Sequence, residues 1–127
     1  MNFKMKENGF ETTFEYGTLQ ISGNEDYGFR PYQLLVSSVA VCSGGVLRKV
    51  LERMRLPFDD IQVSADVKRD EKEANKVTHI HLHFTIAGKE LTNEKVEKAL
   101  VVTRKNCSMV QSVKDSIEIT ESFEIKS

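Results

Sequence analysis

A chain of 127 residues, 39% apolar and 29% charged, is long enough for one domain with a hydrophobic core. A net charge of −1 gives no basic excess for nucleic acid or an anionic membrane, so neither is an expected partner. The start, Met1-Asn2-Phe3-Lys4-Met5-Lys6, lacks the apolar segment of a signal peptide, and a cytoplasmic location is expected.

In chain order, Phe10, Thr12, Phe14 and Tyr16 alternate with Glu11, Thr13 and Glu15, the period of a strand. Leu19 and Ile21 share one face of a further short strand, and a polar loop follows. Residues 31–47 contain no charge, so the helix they form is expected to be buried on nearly all sides. Pro31 suits its first position. Small residues recur four apart, Ala40 with Gly44 and Val41 with Gly45, a face that a second backbone can approach closely. The run is short for a bilayer span and rich in Ser and Gly. Pro57 and the Asp59-Asp60 pair turn the chain.

Ile61, Val63, Ala65 and Val67 predict a half-buried strand, and the charged stretch 69–76 a hairpin loop. Ile80, Leu82, Phe84 and Ile86 then alternate with His79, His81, His83 and Thr85. Three histidines on one strand face invite a metal. Neighbours stand about 6.8 Å apart along a strand, and three in a line fit a tetrahedral site poorly. A solvated outer face with no metal is the expectation. Thr92 or Asn93 can cap the next helix, whose inward stripe is Val96, Leu100, Thr103 and Cys107. A short further turn over 108–114 leads to a last strand carrying Ile117, Ile119, Phe123 and Ile125. This order argues for an α+β fold with mainly antiparallel sheet, a single domain over residues 1–127.

Two cysteines without a C-x-x-C motif fit neither a disulfide scaffold nor a zinc ribbon. Cys42 and Cys107 both lie on apolar helical stripes, so they are either structural thiols or a pair that meets across a helix packing. A thiolate can attack a peroxide, and the sulfenic acid formed can condense with a second thiol. Spacing alone leaves both readings open.

The segment from Arg30-Pro31-Tyr32-Gln33-Leu34-Leu35 to Cys42-Ser43 resembles the P-x-E-L-L-L-A-A-L-A-x-C helix of the OsmC/Ohr family, the osmotically induced and organic hydroperoxide resistance proteins. Asn106-Cys107-Ser108-Met109-Val110 is similar to its second-cysteine motif, usually C-P-V. The resemblance covers essentially the whole chain. It implies an intertwined α+β homodimer, with mainly antiparallel sheets around a long buried central helix. It also implies a thiol-dependent peroxidase for organic hydroperoxides or hydrogen peroxide, recycled by a dithiol reductant and needing no cofactor. Cys42 would be the peroxidatic thiol and Cys107 the resolving one. The family's glutamate at the helix start is replaced by Tyr32 and Gln33, and Ser108 stands where proline is usual. The arginine before the helix is Arg30, twelve residues from Cys42, about 18 Å along a straight helix. It can reach the thiol only by chain reversal or from a second subunit. The other reading is an OsmC-like dimer without peroxidase activity, binding an apolar small molecule or purely structural.

Overall fold

The computed structural model describes all residues from Met1 to Ser127. The chain forms two compact units, Met1–Ser37 and Ser38–Ser127. In the first, β1 (Lys4–Met5), β2 (Phe10–Thr13) and β3 (Thr18–Ile21) make an antiparallel sheet in that order. The alternation read as far as Tyr16 stops at Thr13: Tyr16 is fully exposed, and Thr12 is the buried residue of β2. Thr12 is polar yet buried because its hydroxyl donates to the Asn2 carbonyl at 2.8 Å. After β3 the chain doubles back and Phe29 donates to the Gln20 carbonyl. A Cβ at Gly28 would stand 2.8 Å from that carbonyl oxygen, so only glycine fits this approach.

Helix α1 (Pro31–Arg53) begins in the first unit and continues into the second. By length and composition it could cross a membrane, yet Val39, Leu47 and Leu51 are fully buried in the core. Its end is set by backbone geometry before Pro57 is reached. Arg55 takes a left-handed φ of 56°, its N–H bonds the Glu52 carbonyl, and the Leu56 N–H reaches back to Leu51 at 2.9 Å. This is the paired-bond helix ending that usually carries glycine, with Leu51 and Leu56 both buried beside it.

The second unit holds β4 (Asp60–Asp70), β5 (Lys76–Ala87), α2 (Asn93–Asn106), α3 (Ser108–Val113) and β6 (Glu118–Lys126). β4 and β5 pair antiparallel through a hairpin in which Ala74 and Asn75 have positive φ. β6 pairs with the other side of β5, and here the expected antiparallel pattern has its exception: the pairing is parallel. The connection through α2 and α3 returns the chain to the start of β5, so β6 runs alongside it. Register then builds the core row by row. Phe84 lies between Val63 and Phe123, Ile80 between Val67 and Ile119. Ile80, Leu82, Phe84 and Ile86 are all fully buried.

Against the expectation of burial on nearly all sides, α1 is covered on one side only within the chain. Val41 is 72% exposed and Gly45 is open, whereas a Cβ at Gly44 would press on Val63 at 3.1 Å.

Candidate functional site

The expected inward stripe of α2 forms: Val96, Ala99, Leu100 and Thr103 are buried. Thr92 is the residue that caps it, accepting the Lys95 N–H at 3.3 Å. The stripe ends at Cys107, which is both the last cap of α2 and the residue before α3. Its own N–H is bound to Thr103, so the backbone fixes the thiol where the two helices meet. Cys107 is completely buried and Cys42, on α1, partly so.

Both thiols are free, and each acts on the ionisation of the other. Burial alone would push the Cys42 thiol up, but it is outweighed. The Met109 N–H, the Cys107 thiol, the Ser108 hydroxyl and the Ser108 N–H together hold it below its ordinary value. Ser108 Oγ lies 3.7 Å from Cys42 Sγ. Cys107 moves the other way: burial raises its pKa, and the charge of Cys42 adds to this, against donation from Ser43 and Val110. Ser43 Oγ donates to Cys107 Sγ at 3.3 Å. The pair is therefore asymmetric. One thiol is partly accessible and lowered, and the other is buried and raised.

Arg30 and Gln33, the other expected site residues, belong to the first unit. The Arg30 guanidinium lies over the Tyr32 ring, 4.8 Å from its centroid, and Gln33 is exposed in the first turn of α1. The groups that lower Cys42 are hydrogen-bond donors rather than cations. Sequence reasoning missed Ser43 and Met109, and noted Ser108 only as the absence of proline.

The histidine face of β5 is less open than a solvated surface. His81 is bonded to Thr120 Oγ1 at 2.6 Å and Ser122 Oγ at 2.8 Å, and His83 to Ser122 Oγ at 2.7 Å and Glu124 at 3.3 Å. His79 meets Glu118 at 2.6 Å and Thr78 at 2.9 Å. Each imidazole nitrogen thus has a partner on β6 or on its own strand.

The family model described as OsmC-like protein matches residues 23–122. Protein YhfA of Escherichia coli (strain K12) is 27% identical over 96 residues, 75% of this chain and 72% of its own. Among solved structures, a hypothetical protein from Aquifex aeolicus VF5 superposes with a TM-score of 0.87 at 24% identity, over 98% of this chain and 93% of that one. An organic hydroperoxide resistance protein OsmC from Legionella pneumophila superposes with a TM-score of 0.75 at 16% identity, over 98% and 97%. With the family match spanning the central helix, both cysteines and most of β6, this chain belongs to the OsmC-like protein family.

Proposed function

We propose that the chain is a thiol-dependent peroxidase for organic hydroperoxides or hydrogen peroxide, serving oxidative-stress defence, with Cys42 attacking and Cys107 resolving. The observation that carries this reading is the unequal pair of free thiols brought together by crossed serine contacts, Cys42 partly accessible and lowered, Cys107 buried and raised. The Cys42 thiolate attacks the distal peroxide oxygen. The S–O bond forms, the O–O bond breaks, and the alkoxide takes a proton from solvent and leaves as the alcohol. Cys107 then attacks the Cys42 sulfenic acid. The S–S bond forms, the S–O bond breaks, and hydroxide leaves as water with the Cys107 proton. An external dithiol reduces the disulfide and is itself oxidised. Neither step calls for a cofactor, because both electrons come from the two sulfurs.

Residues 1–127 act in this reading as one OsmC-like domain that pairs into an intertwined homodimer. The open face of α1, with Val41 and Gly45 beside Ile61 and Val63 of β4, supports that pairing. Arg30, and with it Gln33, would serve the thiol of a second copy.

The test is consumption of cumene hydroperoxide with a dithiol reductant. Wild type turns over. Cys42→Ser does not, and Cys107→Ser completes one oxidation of Cys42 without recycling. Equal, slow consumption by wild type and Cys42→Ser sinks the reading in favour of an OsmC-like dimer without peroxidase activity.

A further inference from the structure

Cys42-Ser43 and Cys107-Ser108 are the same dipeptide at two places in the chain. In the fold each serine hydroxyl meets the sulfur of the other pair: Ser43 Oγ donates to Cys107 Sγ at 3.3 Å, and Ser108 Oγ lies 3.7 Å from Cys42 Sγ. Ser43 is 2% exposed, so its hydroxyl satisfies itself on sulfur rather than on water. Ser108 is exposed, and Cys42 partly so. A thiolate has no proton to give, so once Cys42 ionises the Ser108 hydroxyl can only be the donor of that contact.

We propose that Ser43 and Ser108 are positioning residues that act crosswise, Ser108 stabilising the Cys42 thiolate for its attack and Ser43 aiming Cys107 and stabilising the charge its sulfur gathers during disulfide formation. The proposal rests on the peroxidase reading for its catalytic meaning, but the crossed contacts are properties of the reduced thiols themselves. The Ser43 hydroxyl is the donor to the Cys107 sulfur, and the Ser108 hydroxyl the donor to the Cys42 thiolate. When the Cys107 proton departs with hydroxide as water, Ser43 remains as the donor to the sulfur forming the new bond. Neither hydroxyl is oxidised or consumed. Ser108 also gives a physical reading of the departure from the family's usual proline, which has neither a hydroxyl nor an N–H to offer.

The experiment is the pH dependence of iodoacetamide alkylation, with Cys42 and Cys107 resolved by peptide mass. Ser108→Ala is expected to raise the Cys42 midpoint by about one pH unit, the scale of a lost bond to a charged group. Ser108→Thr, which keeps the hydroxyl, should restore it. Ser43→Ala should raise the Cys107 midpoint by a similar amount while shifting Cys42 less. Thermal melts establish that each variant is folded, and the exposed Ser108 pair decides the matter if Ser43→Ala does not fold. No shift in Ser108→Ala overturns the proposal. So does a shift confined to the cysteine adjacent in sequence, or one that Ser108→Thr fails to restore. Crossed shifts in a protein that does not turn over hydroperoxide would leave the serine assignment standing and remove the peroxidase reading. Turnover without crossed shifts would do the reverse.

Discussion

Arg104 of α2 reaches Glu121 of β6, Nη1 to Oε1 at 3.3 Å, and the same nitrogen donates to the Ile119 carbonyl at 2.9 Å. Glu121 stands opposite Leu82 on the sheet's inner face, a position every neighbouring row gives to an apolar side chain. Burial raises its pKa, and Arg104 opposes the rise without cancelling it.

A carboxyl raised in the folded state holds its proton there at a pH where the unfolded chain has lost it. Its contribution to stability is therefore full below the unfolded value and is lost as pH rises through the folded one. Glu121→Gln should accordingly gain stability relative to wild type as pH is raised from about 4 towards 7, because the amide never ionises. Arg104→Ala should cost about 1–3 kcal/mol at pH 7, since it leaves a largely buried carboxylate without its donor. Urea denaturation across that pH range reads both. A flat difference between Glu121→Gln and wild type would mean that Glu121 is as well solvated folded as unfolded.

The cap of α2 gives a local prediction. Thr92 Oγ1 accepts the Lys95 N–H at 3.3 Å, so Thr92→Ala should cost about 1 kcal/mol. For a chain of this size the melting midpoint should fall by about 4 °C. Thr92→Ser keeps the acceptor and should stay close to wild type. Equal losses in both variants would place the effect in the threonine methyl rather than the cap.

Such local signals are legible in the sequence because their causes are local. Thr92 with Glu94 marks a helix start, and Ile80, Leu82, Phe84 and Ile86 alternate because one face of β5 is buried. The direction of β6 is not written in its own residues, since Ile119, Phe123 and Ile125 would serve a parallel or an antiparallel neighbour equally. What sets it is the path through α2 and α3, and the helix lying between two strands was the available signal. The inward Glu121 was hidden for a similar reason. Its place is fixed by period two, but its charge becomes tolerable only through Arg104, seventeen residues away. The cysteines were legible as a pair through family motifs. Their crossed serines depend on how α1 meets the junction of α2 and α3, which neither motif records.

The exposed face of α1 makes the homodimer testable by a substitution the single chain should tolerate. Val41 is 72% exposed within the chain, so Val41→Asp should leave its core intact. If a second copy covers this face, the variant buries a charge with no partner, and the dimer should dissociate. Light scattering at micromolar concentration should give twice the chain mass for wild type and the chain mass for Val41→Asp. A monomeric wild type would overturn the pairing, and a dimeric Val41→Asp would move it to another face.

The electrostatic link between the thiols predicts what each does when the other is removed. Cys107 is raised first by its burial and further by Cys42, both as a neighbouring charge and as the acceptor of its proton. Cys42→Ser removes the charge but leaves the burial, so the Cys107 midpoint should fall part of the way towards its ordinary value. The converse holds for Cys42, whose ionised form is helped by the Cys107 thiol after the Met109 N–H. In Cys107→Ser the new hydroxyl can still donate, so the Cys42 midpoint should move little. In Cys107→Ala the donor is gone, and the midpoint should rise by about half a unit to one unit. The pH dependence of alkylation rates, read separately for each cysteine, checks all three shifts. A Cys107 midpoint unmoved in Cys42→Ser would mean the two sulfurs do not sense one another, and burial alone would hold Cys107 up.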